Sequence, residues 1–319
     1  MNRFGTKFAL SLFGESHGPA VGVVIDGVKP GLPLAAADFE ADLARRRGGA
    51  PGTTPRVEAD LPEILSGVYE GHTTGAPLTL VFRNENTRSA DYDRFRAVPR
   101  PGHADYVAAL VSDGFNDPRG GGHFSARLTL PLVAAGVVAK KMLPCTVSAF
   151  VTEVGGSAEP AAWEAMLSEA AAEGDSLGGL VTCRACGVPA GLGRPFFDSV
   201  ESLLSHALFS IPGVRGVEFG DGFGAARMRG SEHNDLLTAT GPASNHAGGV
   251  NGGITNGGEL CLRVAFKPTS SIRKPQQTWN FAEGRPDTLV CPGRHDACIA
   301  LRGAVVVEAL TAIVLADLL

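Results

Sequence analysis

The apolar positions of this 319-residue chain follow a pattern that occurs twice. A short apolar run, Val21 to Ile25, leads into the turn Gly27-Val28-Lys29-Pro30-Gly31-Leu32. The spaced apolar positions of Asp38-Phe39-Glu40-Ala41-Asp42-Leu43 then predict an amphipathic helix capped by Asp38. The alternating stretch Leu180-Val181-Thr182 leads likewise into Gly187-Val188-Pro189-Ala190-Gly191-Leu192 and a helix from Asp198 to Leu203, with Asp198 as its cap. Gly67 to Gly71 precedes Pro77 to Phe82, as Gly253 to Gly257 precedes Glu259 to Phe266, and both predict a hairpin and a half-buried strand. A helix of small apolar residues closes each half, Leu128 to Met142 and Ala300 to Leu319.

Helices this apolar need burial on most sides, which two enclosing sheets provide. The expected fold is α+β: a β-α-β sandwich with internal pseudo-twofold duplication, two antiparallel sheets enclosing the long apolar helices. One domain is expected over 1–319, as two pseudo-repeats at roughly 1–150 and 175–319. The Ala- and Glu-rich stretch from Val154 to Gly179 reads as a helical connection between them.

Composition removes several classes. A net charge of −5 excludes a general nucleic-acid surface. No apolar run is long enough for a membrane span, and Met1 to Leu12 lacks the pattern of a signal peptide, so a cytoplasmic protein is expected. Cys183 and Cys186 have CxxC spacing, yet on a strand they face opposite ways, and no second pair follows. Packed, reduced thiols are expected, and no cluster has metal-ligand spacing.

The candidate chemistry lies in glycine-flanked loops. His17 sits in Gly14-Glu15-Ser16-His17-Gly18, and an imidazole titrates near neutral pH. Arg100-Pro101-Gly102-His103-Ala104-Asp105 has the same ingredients, and Asp296 follows Arg294 and His295. Arg119-Gly120-Gly121-Gly122 runs toward Ser125 and Arg127, where a glycine run at a helix start would suit phosphate. Arg45-Arg46-Arg47 reads as an anion-gathering loop, Lys267 to Ser271 offers a cation and three hydroxyls, and Asn245 to Gly253 permits close backbone approach. Together these predict a site for multiply anionic ligands with histidines to move protons.

These residues, in this order and over nearly the whole chain, resemble the chorismate synthase family; Gly187 to Gly193, Gly220-Asp221-Gly222-Phe223 and Ser244 to Gly249 carry it further. The resemblance implies a lyase of aromatic amino acid biosynthesis. It converts 5-enolpyruvylshikimate 3-phosphate to chorismate and phosphate by 1,4-anti elimination, with reduced FMN. A flavin-dependent oxidoreductase, or an NADPH flavin reductase on the same scaffold, is the alternative, with NADPH as external reductant. A homotetramer is implied as well.

By the same resemblance His17 serves the reduced flavin, His103 is the general acid for phosphate departure, and Asp296 assists proton removal. Arg46, Arg100, Arg127 and Arg294 match binders of the substrate's anionic groups. The cofactor positions are His123, Phe124, Ser125, Pro212, Gly213, Gly252, Lys267, Pro268, Thr269, Ser270, Ser271 and Arg294. The family's usual Arg-Ser-Ser-Ala-Arg-Glu-Thr segment reads His123-Phe124-Ser125-Ala126-Arg127-Leu128-Thr129 here. The loop after Arg47 lacks an arginine common before its paired threonines, and the family's C-terminal tail is absent after Leu319.

Overall fold

The computed structural model describes residues 2–54, 59–85, 89–239, 241–291 and 295–319. Two antiparallel sheets carry the fold. The first has the order Arg3–Phe4, Ala9–Gly14, Ala20–Asp26, Leu78–Arg83, Glu63–Ser66. The second has the order Val214–Phe219, Leu260–Phe266, Gly179–Cys186, Thr146–Val154. Period-two alternation is clear in Leu260–Phe266, where Leu260, Leu262, Val264 and Phe266 are buried and the residues between are half-buried.

The two apolar helices, Thr129–Met142 and Ala300–Leu318, pack on each other. The first also lies on strands Ala20–Asp26 and Leu78–Arg83, the second on Thr146–Val154 and Gly179–Cys186. They come close at Gly136, where an added Cβ would stand 2.4 Å from the Cβ of Ala309. Charge inside this layer is paired. The buried Glu308 accepts both terminal nitrogens of Arg45 at 2.9 Å, Nζ of Lys140 at 2.7 Å and the backbone N–H of Ala149 at 3.0 Å. Further along the same helix, Oδ1 of Asp317 accepts the backbone N–H groups of Thr6, Lys7 and Phe8 at 2.7, 2.6 and 3.0 Å.

Corresponding strands are wired alike. Ala20–Asp26 pairs with Ala9–Gly14 and Leu78–Arg83, as Gly179–Cys186 pairs with Thr146–Val154 and Leu260–Phe266. Two threonines repeat one knot of hydrogen bonds. Thr73 Oγ1 donates to Lys29 O at 2.6 Å and accepts from Leu32 N at 3.0 Å. Thr255 Oγ1 donates to Pro189 O at 2.7 Å and accepts from Leu192 N at 2.9 Å.

Local expectations shift in places. The helix expected at Asp198 is Val200–Leu208, and its cap is Ser199, whose Oγ accepts from Ser202 N at 3.1 Å. The helix of the first half is Glu40–Arg46, starting two residues after Asp38, which lies in the 3₁₀ turn Ala36–Phe39 before it and accepts from Ala35 N at 2.8 Å. The connection between halves contains the helix Pro160–Ala172. Cys183 is buried and Cys186 exposed on opposite faces of their strand. Among the described residues, no helix is long and apolar enough to cross a membrane.

Candidate active site

A cavity of about 1040 Å³ opens between the loops that join these layers. His17, His103 and Asp296 line it, as do Arg46, Arg100, Arg127, the segment His123 to Ser125, Pro212, Gly213 and Lys267 to Ser271. Among the described residues, seven arginines and one lysine stand on the wall against two carboxylates, Asp60 and Asp296. In a chain of net charge −5, that concentrates positive potential in one place. Arg294 lies outside the described residues. Gly252 does not line the cavity; it sits in the turn between Val250–Asn251 and Ile254–Thr255, with no atom within 4 Å of an added Cβ.

The three arginines that end helix Glu40–Arg46 are anchored, and they diverge. Arg45 turns inward to Glu308, and Arg47 Nη2 donates to Ala59 O at 2.6 Å. Arg46 is buried: Nε donates to Thr129 Oγ1 at 3.0 Å, Nη2 to Ala126 O at 3.1 Å, and Nη1 stands 3.5 Å from Asp60. Burial, then the charges of Arg302 and Arg127, outweigh the carboxylates of Asp60 and Asp296 and push Arg46 down to about 9. Asp60 also pairs with Arg127, whose Nε donates to Asn84 Oδ1 at 3.1 Å. Asn84 passes the link on, donating to the carbonyls of Glu15 and Gly18 at 2.9 and 2.8 Å, so it clamps the His17 loop.

The glycine run forms no helix start. Gly120, Gly121 and Gly122 take φ of 61°, 82° and 54°, a left-handed path that only glycine follows easily. Its purpose is proximity: a Cβ on Gly120 would lie 2.6 Å from Ser16 Oγ and from the His17 ring. That ring also meets Tyr92 edge to face at 5.1 Å. His123 works as a brace, with Nδ1 2.8 Å from Gly14 O and Nε2 3.0 Å from Asn2 Oδ1. Ser125 caps the next turn, accepting from Arg127 N at 3.2 Å. Phe124 is half-exposed on the wall.

On the opposite loop His103 Nδ1 lies 2.7 Å from Asp105 Oδ1. Arg100 holds the same carboxylate bidentately at 2.7 and 2.8 Å, reaches Ser271 Oγ at 3.0 Å and packs over the Phe95 ring at 4.5 Å. Its donors, like those of Arg46 and Arg127, are thus largely engaged inside the protein. Burial pulls the Asp105 carboxyl upward, but hydrogen bonds from Arg100 and His103 prevail and hold it well below the usual carboxylate range. Lys267 Nζ donates to Gly102 O and, at 2.7 Å, to Ser270 Oγ; burial and then Arg215 lower its proton affinity. Asp296 accepts from Thr54 N at 2.7 Å and from Arg302 Nη1 at 3.0 and 3.3 Å. Gly248, Gly249 and Gly253 approach their own neighbours instead of the cavity: a Cβ on Gly248 would lie 2.4 Å from Gly220 N.

Known proteins resemble this one along its whole length. The profile of the chorismate synthase family matches residues 8–319. A chorismate synthase of Chitinophaga pinensis is 58% identical over 321 residues, 99% of this chain and 96% of that protein. One of Korarchaeum cryptofilum is 46% identical over 346 residues, 98% of this chain and 96% of that protein. A crystal structure of chorismate synthase aligns with a TM-score of 0.74 at 28% identity, covering 99% of this chain and 92% of that one.

Proposed function

The chain belongs to the chorismate synthase family, and from that premise we propose how its cavity performs the elimination of phosphate from 5-enolpyruvylshikimate 3-phosphate to give chorismate. The carrying observation is the wall of seven arginines and one lysine facing two carboxylates among the described residues. A substrate with a phosphate and two carboxylates is the ligand such a wall favours. The relatives' shared name favours this lyase reading over a flavin reductase.

The residues fit reduced FMN. A cavity of about 1040 Å³ is at the top of the range for one small ligand, roughly 300–1,000 Å³, so it has room for two. Lys267 to Ser271, His123 to Ser125, Pro212 and Gly213 supply the cation, hydroxyls and close backbone for it. When bound, reduced FMN would supply electron density against the charge that develops as phosphate leaves.

The chain's own groups handle protons and anions. One ring C–H bond and the C–O bond to phosphate break, and a new C=C bond forms. His103 gives a proton to the departing phosphate as general acid. Asp296, fixed by Arg302 and Thr54 N, is placed to carry away the ring proton. His17, enclosed by Gly120 and Tyr92, sets the charge around the cofactor. Arg46 and Arg127 receive the substrate's anionic groups, and Arg294 is assigned with them.

An anaerobic assay with chemically reduced FMN and the phosphate substrate tests this reading. Chorismate should form without NADPH consumption, and its absence sinks the proposal. His17→Ala, His103→Ala and Asp296→Asn should each lower kcat by about 10²–10⁴-fold.

The matched strand orders and the repeated threonine knot support one β-α-β sandwich of two pseudo-repeats, roughly 1–150 and 175–319. Exposed Phe115, Phe196, Phe197 and Leu237 are apolar surface that a homotetramer would bury; sedimentation velocity tests that assembly. A cytoplasmic enzyme is the matching placement, which fractionation tests.

A further inference from the structure

We propose that Asp105 is the positioning residue of His103: it fixes the ring's proton on Nδ1, so that Nε2 delivers the proton to the leaving phosphate, and Arg100 is its counter-ion. The proposal rests on the reading of His103 as general acid.

Two groups meet His103 Nδ1: Asp105 Oδ1 at 2.7 Å and Arg100 Nη2 at 3.1 Å. A guanidinium only donates and an ionised carboxylate only accepts, so the two compete for this nitrogen, and the shorter contact assigns its hydrogen to the carboxylate. Asp105 is kept ionised by three donors of one residue: Nε, Nη2 and the backbone N–H of Arg100, at 2.7, 2.8 and 3.1 Å. It also opens the helix Asp105–Val111, where a negative charge is favoured. Its side chain is 8% exposed, so solvent screens these interactions weakly. Arg100 is locked in turn by Ser271 and by the Phe95 ring.

The charges around the ring give Asp105 its weight. On the same loop Arg100 Nη2 stands 3.1 Å from Nδ1. From the segment after strand Leu260–Phe266, Lys267 binds the carbonyl of Gly102, next to His103. From the segment Ser89–Arg96, Arg96 lines a second cavity of about 180 Å³ that His103 and Asp105 also border. From the glycine run, Gly121 packs at the ring and brings no charge. Arg100 thus meets the imidazole directly, Arg96 and Lys267 stand on its neighbouring segments, and Asp105 is the carboxylate in contact with it.

Two variants break the same ion pair and separate electrostatics from scaffolding. Asp105→Asn removes the negative charge and leaves Arg100 unopposed, so the His103 titration should move down by about 1–2 pH units. Arg100→Gln removes the positive charge and leaves the carboxylate to the ring, so the titration should move up. Nitrogen-15 NMR of labelled histidine in the full chain reads both, and reads in the unaltered protein whether Nδ1 carries the hydrogen. The high-pH limb of kcat should follow, downward for Asp105→Asn, upward for Arg100→Gln, with partial recovery in Asp105→Glu. Shifts in the same direction, no shift, or hydrogen on Nε2 of the unaltered chain would overturn the proposal. If the NMR result holds while no chorismate forms, the functional reading fails and the placement of the proton stands.

Discussion

The carboxylate of Asp60 lies 3.5 Å from the guanidinium of Arg46, with both side chains 4% exposed. Asp60 is also the ion-pair partner of Arg127, so one buried anion holds two candidate ligand cations in place. Its φ of 50° is left-handed, a conformation asparagine tolerates. Asp60→Asn therefore isolates the charge. Unfolding in urea should show a loss of about 3–5 kcal/mol, the usual cost of leaving a buried charge unpaired, and inorganic phosphate should recover part of it. An unchanged midpoint would mean that Asp60 is not what holds the pair.

Arg46 shows the cost of a site built before its ligand arrives. With its proton affinity pushed down to about 9, chiefly by burial, the guanidinium is still charged at pH 7 and the penalty stands in full. It is relieved only as pH rises past that value, or by a bound anion. Arg46→Met should cost the ligand-free protein less than Asp60→Asn does, because Asp60 keeps Arg127 as its partner while the buried guanidinium is gone. Phosphate affinity should fall by roughly one to two decades, the worth of a charge-assisted contact at about 1.5–3 kcal/mol. Thermal shifts across a phosphate titration read both effects.

Glu308 should make the fold acid-sensitive. Burial raises its carboxyl, but Arg45 and Lys140 prevail and hold it below its ordinary 4.5. A depressed carboxyl contributes stability that is present above the unfolded value and is lost as pH falls through the folded one. Glu308→Gln should thus destabilise at pH 7 by about 3 kcal/mol. It should also flatten the stability loss below about pH 4.5. Denaturation curves across that range decide the matter.

Gly136 sets two effects against each other. Helix propensity favours alanine there by about 1 kcal/mol. The added Cβ would sit 2.4 Å from Ala309 Cβ and 2.6 Å from its Cα, and overpacking costs about 1–3 kcal/mol. Packing should win, and Gly136→Ala should lower the melting temperature. A rise would mean the helices have slack.

Thr73 and Thr255 invite a paired test. Valine at either position orphans one backbone N–H and one carbonyl, at about 1–3 kcal/mol each. The two single variants should lose similar amounts of stability, and the double variant their sum.

Sequence reading went furthest where the signal was local. The helices Thr129–Met142 and Ala300–Leu318 lie within one residue of their apolar runs, because apolarity on every face admits little but burial. It failed where meaning came from distant pairing. Asp60 stands in an irregular stretch, and its partners Arg46 and Arg127 are set by folding. The arginine run looked like one loop, yet its side chains part toward Glu308, Asp60 and Ala59. A usable signal lay in Arg302 and Glu308, lone charges in an apolar helix. Such charges are costly unless paired, and one meets Asp296 while the other meets Arg45 and Lys140.

The oxygen of Asp317 that gathers three backbone N–H groups from Thr6, Lys7 and Phe8 has a bearing on synthesis. A hairpin is thus fastened by a side chain 311 residues further along the chain, made much later on the ribosome. Closing so long a loop adds little to the equilibrium cost, which grows only with the logarithm of length. It does delay the event, because such distant contacts form slowly. Until then helix Thr129–Met142 lacks its apolar partner, and the hairpin of the first sheet is untied. A growing chain in that state is exposed to aggregation, and chaperone binding to stalled nascent chains should persist until helix Ala300–Leu318 has emerged.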